Sequence, residues 1–225
     1  MKMKHQYYCL IVLLFLTSCN KNQKDFKQTY TNNPEKSLTL VGGGCDGCEI
    51  MYKGIPKTIA AIDTSAGWNE RGQKLVVKGT VYQLDSKTTA QNVIIYYWHT
   101  DSNGLYSQKK ESKNNAAIHG YLRGWVKTDA SGNYAIHTLR PAPYPKETLP
   151  AHIHFSVKEL NLQNEYYTDD LVFDDDTLLT NEKRIALENR GGSGIVKVTT
   201  SNDVQIAIHN IILGRNIPNH PAINK

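Results

Sequence analysis

From Lys74 onward, β-branched and aromatic residues gather in short runs separated by Asp, Ser, Asn and Gly. Residues 75–82 (LVVKGTVY) and 93–98 (VIIYYW) have the composition of strands. Asp85-Ser86-Lys87 and Asp101-Ser102-Asn103-Gly104 supply the turn chemistry that ends them. A further turn at Asp129-Ala130-Ser131-Gly132 delivers residues 134–139 as a strand. Residues 195–198 and 204–208 alternate on either side of a polar Thr-Ser-Asn-Asp link, which predicts a hairpin. Helix is scarce: the pattern supports it only over 181–188 and in the region around 56–62. Many short strands with frequent turns predict an all-β domain, a sandwich or a barrel.

The stretch 151–157, AHIHFSV, alternates with the period of a strand. His152, His154 and Ser156 therefore share one face, and Ile153, Phe155 and Val157 the other. Two imidazoles one strand repeat apart can converge on one ion, and imidazole suits zinc, copper, iron and nickel. Taken alone, such a pair is more often simply two solvent-facing histidines. Upstream, Tyr144 lies in Pro141-Ala142-Pro143-Tyr144-Pro145, where flanking prolines fix the backbone and keep it out of helix and sheet ladders. A phenolate held that stiffly is a hard oxygen donor of the kind ferric iron takes. Most of the chain's 13 tyrosines must nevertheless be ordinary core or interface residues.

Taken in order, four matches resemble the signature of the intradiol ring-cleavage dioxygenases. They are Leu122-Arg123-Gly124; Thr128-Asp129 followed by Gly132 and Tyr134; Leu139-Arg140-Pro141 followed by Tyr144-Pro145; and Pro150-Ala151-His152-Ile153-His154-Phe155. The likeness covers roughly residues 74–173 and is looser beyond. It implies a β-sandwich of the intradiol dioxygenase type and a non-haem Fe(III) held by two tyrosines and two histidines. Carried over residue by residue, Tyr144, His152 and His154 take three ligand positions. Tyr106 takes the fourth, because Asp101 to Tyr106 matches the family's short turn ending Gly-x-Tyr. The implied reaction inserts both atoms of O₂ into a catechol between its hydroxylated carbons, giving a cis,cis-muconate-type diacid. On the family's pattern Tyr144 is the ligand that the substrate displaces, its phenolate taking a proton.

The resemblance also marks departures. Better-known members carry an arginine immediately before Pro-Ala-His, and here that position is Leu149, which removes a cation able to stabilise charge developing on the ring. The family's glutamine near the sheet falls at Asp170, an acid that favours a neutral catechol over an anionic one. The long helical N-terminal region of catechol 1,2-dioxygenases is missing. His119 reads either as a proton carrier or support beside the site or as a loop histidine without a role. Arg123 reads as a group binding a substrate oxyanion or, more naturally, as a loop brace. An enzyme is the leading expectation. The alternative is a non-catalytic β-sandwich module that binds iron or a catecholate ligand.

At the N-terminus, Lys2 and Lys4 precede an apolar run over 10–16 that is too short for a stable membrane span and has the length of a signal-peptide core. It ends Leu16-Thr17-Ser18-Cys19, which resembles a bacterial lipobox; a plain cleaved signal peptide is the other reading. A lipidated Cys19 would hold the protein on a membrane surface without spanning it, and Asn20 in the next position leans toward the outer membrane of the cell envelope. Residues 1–18 then form the signal, 19–36 a polar tether and 37–225 the folded domain. Loss of Lys2 and Lys4 lowers the formal charge from +5 to +3. That charge, with no basic run interleaved with aromatics, gives no support for nucleic-acid binding. With Cys9 gone in the signal and Cys19 lipidated, Cys45 and Cys48 remain as a C-x-x-C. The chain offers neither a second such pair for zinc nor a βαβ setting for redox work, so a small structural disulfide loop is expected.

Overall fold

The computed structural model describes residues 40–43, 47–109 and 117–221, all within one compact unit. The segments expected as a signal and a tether, with Cys19, and Cys45 of the expected disulfide lie outside the described residues. The strands are β1 (Ile62–Thr64), β2 (Lys74–Tyr82), β3 (Ile94–His99), β4 (Arg123–Lys127), β5 (Asn133–Leu139), β6 (His152–Lys158), β7 (Tyr166–Tyr167), β8 (Leu171–Phe173), β9 (Ile195–Val196), β10 (Val198–Ser201), β11 (Val204–Ile208) and β12 (Ile211–Ile212). Among the described residues one short α-helix, α1 (Asn181–Ala186), is capped by the Thr180 side chain, which accepts from Lys183 N. Among the described residues, no helix is long and apolar enough to cross a membrane.

The strands form two six-stranded sheets. One runs β1-β5-β2-β11-β10 with β12 continuing beside β2, and the other runs β4-β3-β6-β8-β9 with β7 on β6. The alternation read from the sequence dictates what lies between them. Leu75, Val77, Ile136 and Ala207 from the first sheet meet Ile95, Tyr97, Ile153, Phe155 and Val157 from the second, and all are fully buried.

The second sheet is also covered on its outer face. Tyr96 and Trp98 point outward from β3, yet they are buried with Met51, and Tyr106, Trp125 and Tyr167 pack around them. Met51 comes from a 3₁₀ turn over Cys48–Tyr52. Trp125 secures that turn by donating its Nε1–H to Met51 O at 2.7 Å. This covered outer face is where His152, His154 and Ser156 project.

Two expectations are corrected. The region around 56–62 is not helical: Lys127 N donates to Ala60 O, Ala135 N donates to Ala61 O, and Ile62 begins β1, parallel to β5. The last hairpin exists, but its arms are β10 and β11, joined through Asn202 and Asp203, both with positive φ as a tight primed turn requires. Ile195–Val196 instead pairs with β8 in the other sheet, so the chain changes sheets at Lys197.

Candidate metal centre and cleft

The two histidines are delivered by β6 and the two tyrosines by loops stapled to each other. Asp101 organises the first loop: its Oδ1 accepts from Asn103 N and Leu105 N, and its Oδ2 from the Ser107 hydroxyl. The same residue reaches the second loop, its carbonyl accepting from Ala142 N at 3.1 Å, while Thr100 Oγ1 donates to Ala142 O at 2.6 Å. Gly104, with φ +77°, lets the two backbones close, since a Cβ there would stand 2.1 Å from Pro143 O. Tyr106 and Tyr144 leave these loops toward each other.

The result is a chain of four donor atoms. Tyr106 and Tyr144 hydroxyls lie 2.6 Å apart, Tyr106 OH lies 2.9 Å from His154 Nε2, and Tyr144 OH lies 3.2 Å from His152 Nε2. The outer nitrogens are committed elsewhere: His152 Nδ1 donates to Pro150 O and His154 Nδ1 to Asp170 Oδ1, each at 2.8 Å. With Nδ1 so engaged, both rings turn Nε2 inward, the arrangement that partners of the remote nitrogen impose on metal-bound histidines. Proton counting then tests the fit to a cation. The three inner contacts need three protons, but the two hydroxyls bring only two. Two phenolates and two imidazoles around one trivalent ion give each of the four donor atoms a cation to bind and need no proton between them, so the donor set fits ferric iron. His152, His154 and Asp170 also place ligand atoms within 4.8 Å of one another; because Asp170 already holds His154 Nδ1, it is the partner that orients the ring.

Burial sets the electrostatics. Desolvation pushes the Tyr106 and Tyr144 hydroxyls above their ordinary pKa, and it lowers that of His152, with the nearby His154 adding to the effect. For Asp170 desolvation acts upward, but its interactions with His154 and His152 outweigh it and hold the carboxyl below its usual range. The His154 ring is further clamped by stacking on Trp98 at 4.7 Å, and Trp98 stacks in turn on His119 at 4.2 Å and 6°. His119 is buried, its pKa lowered to about 4 by that burial, with Nδ1 2.9 Å from the Tyr96 hydroxyl. It supports the layer behind His154 and does not face the donor cluster.

The other expected residues sort as follows. Arg123 donates to Lys53 O and to the Tyr96 hydroxyl and lies over Trp125, so it braces the covering turn; a catalytic role is not what its placement provides. Arg140 is held by Asp175 and Gln205 and stacks on Phe173. Leu149 is 47% exposed and lines a cleft of about 680 Å³ that opens on Tyr144, His152 and His154. Tyr167, Lys183, Leu187 and Arg190 line it too, none of them singled out by the sequence. Trp98 also escaped sequence reasoning, although its register opposite His154 follows once β3 and β6 are aligned.

Residues 53–212 match the protein family described as Dioxygenase. Catechol 1,2-dioxygenase 1 of Acinetobacter lwoffii is 29% identical over 208 residues, covering 76% of this chain and 66% of that protein. Chlorocatechol 1,2-dioxygenase of Pseudomonas sp. (strain P51) is 30% identical over 141 residues, covering 52% of this chain and 51% of its own length. The chain thus spans about half to two thirds of the length of these relatives. Among solved structures, catechol 1,2-dioxygenase of Acinetobacter radioresistens shares the fold with a TM-score of 0.54 at 19% identity, over 71% of this chain and 58% of that one.

Proposed function

Because the chain belongs to the intradiol ring-cleavage dioxygenase family, we propose that it binds a non-haem ferric ion through Tyr106, Tyr144, His152 and His154 and cleaves a catechol with O₂. The carbon–carbon bond between the two hydroxylated carbons breaks and each of those carbons gains one oxygen, giving a cis,cis-muconate-type diacid that contains both atoms of O₂. The observation that carries this reading is the convergence of the four donors, with contacts of 2.6–3.2 Å and one proton too few to satisfy them.

When bound, the ferric ion supplies Lewis acidity and a template that gathers substrate and O₂. The residues of the chain do the rest. Tyr144 lines the cleft together with the two histidines, and the family resemblance, not its position, makes it the donor that would give way, its phenolate taking a proton from a catechol hydroxyl. Tyr106, His152 and His154 persist, the latter two oriented by Pro150 O and Asp170. Trp98 stacks on the His154 ring and Tyr167 packs against Trp98.

One observation favours a second reading, a module that keeps iron or a catecholate without turning it over: Leu149 faces the cleft without a charge, and Arg123 and Arg140 are engaged elsewhere. Metal analysis and spectroscopy test the site common to both readings. Purified protein should carry about one iron per chain with a broad visible charge-transfer band that Tyr106→Phe shifts or bleaches. Colourless, stoichiometrically zinc-loaded protein would sink the assignment. Oxygen uptake with catechol separates the two readings. Lipid attachment through Cys19, placing the domain at the outer membrane, is proposed on the sequence alone.

A further inference from the structure

The cleft is much larger than the reaction requires. At about 680 Å³ it lies within the range of sites that enclose drug-sized ligands, whereas a bare catechol fills only the part beside Tyr144, His152 and His154. Away from those donors the walls turn apolar: Leu149 from the loop before β6, Val172 from β8, Leu179, and Ala186 and Leu187 from the end of α1. Leu149 is 47% exposed although it borders the donor cluster, and α1 buries none of its residues, so Leu149, Ala186 and Leu187 present solvated apolar surface, while Val172 and Leu179 are buried.

The charged groups in the same walls are already engaged. Lys183 donates to Thr148 O and Leu178 O. Arg190 donates to Gly42 O, and its unpaired Nε is buried from solvent. Asp169 accepts from Asn189 N and Arg190 N, and Asp170 holds His154. Glu188 is an exposed carboxylate at the rim, and with Asp169 and Asp170 it outnumbers Lys183 and Arg190, so the walls hold no net positive charge to attract an anion.

We infer that this apolar groove is a subsite for a neutral alkyl or aryl substituent, so that the preferred substrate is a catechol carrying an uncharged apolar group on the ring edge remote from its hydroxyls. The inference rests on the catechol-cleaving reading and deepens it. Its physical basis is area: a substituent laid along Leu149, Ala186 and Leu187 removes its own surface and theirs from water, which tightens binding about two- to fourfold per methylene.

The test is a series run on the iron-loaded protein: catechol, 4-methylcatechol, 4-propylcatechol, 4-butylcatechol and, as the anionic comparison, 3-(3,4-dihydroxyphenyl)propanoate. Binding is measured anaerobically by calorimetry and turnover by oxygen uptake. Affinity and kcat/KM are expected to climb along the alkyl series by that factor per carbon, with the propanoate falling short of 4-propylcatechol. Leu187→Asp, which places a charge in the groove, should flatten the slope, and a thermal melt shows whether the variant is folded. A wild-type binding series that is flat or declines with chain length overturns the groove, as does a propanoate that binds best. Turnover of catechol with a flat series leaves the dioxygenase reading standing. A steep binding series without turnover of any member supports the groove and sinks the enzyme.

Discussion

Replacing Gly104 by alanine adds one methyl group at the point where the two tyrosine loops touch, and the consequences can be worked out in order. The residue sits at φ +77°, a left-handed conformation that costs a side-chain-bearing residue about 1–2 kcal/mol. The new Cβ would stand 2.1 Å from Pro143 O and 3.0 Å from Pro145 Cδ, and the first of these is backbone that cannot rotate away. The loops must part, straining Asp101 O···Ala142 N and Thr100 Oγ1···Ala142 O. The combined loss is about 2–4 kcal/mol, centred on the loops because the three atoms nearest the added Cβ all belong to Pro143 and Pro145. The same parting separates Tyr106 from Tyr144. Gly104→Ala should therefore retain the wild-type β-sheet circular dichroism, melt several degrees lower, and bind iron with at least tenfold lower affinity. Wild-type melting together with wild-type iron content would refute the reasoning that the two loops are stapled through this glycine.

Three other outcomes follow from particular residues. Complete burial lowers the His209 pKa to about 4, so the folded state keeps the ring neutral while the unfolded chain protonates it near 6.5. This contribution, about 3 kcal/mol at full extent, is present above pH ~6.5 and is lost as pH falls toward 4, and His209→Gln should reduce the drop in denaturation midpoint between pH 7 and 5; an unchanged slope contradicts the assignment. Leu149→Arg should raise catechol turnover, by up to about 100- to 1,000-fold if the guanidinium reaches the reacting ring, as measured by oxygen uptake; unchanged or lower turnover argues against a missing cation. Labelled fatty acid should be incorporated in cells and lost with Cys19→Ala; an unmodified, soluble protein refutes the anchor.

Much of the site was legible because strand periodicity and loop chemistry are local. His152 and His154 had to share a face if 151–157 was a strand, and they do. Tyr106 and Tyr144 lay next to Gly and Pro signals that mark rigid loops. What is assembled from distant segments was not legible. Residues 56–62 carry apolar spacing compatible with a helix, but their carbonyls are taken by β4 and β5, and pairing with an existing sheet overrides local propensity. Residues 195–198 read as one arm because nothing local shows that Ile195 and Val196 pair with β8 while Val198 pairs with β11. The Trp98–His119 stack and the apolar groove involve residues from several separate elements, and only the fold brings them together.

The central claim, that these four donors serve intradiol cleavage, is tested most directly by isotope. Iron-loaded protein is given catechol under ¹⁸O₂, and the product is identified by mass. An acyclic cis,cis-muconate carrying both labelled atoms is the predicted result. A ring opened beside the hydroxylated carbons to give a hydroxymuconic semialdehyde, or no oxygen uptake by protein shown to hold its iron, would contradict it.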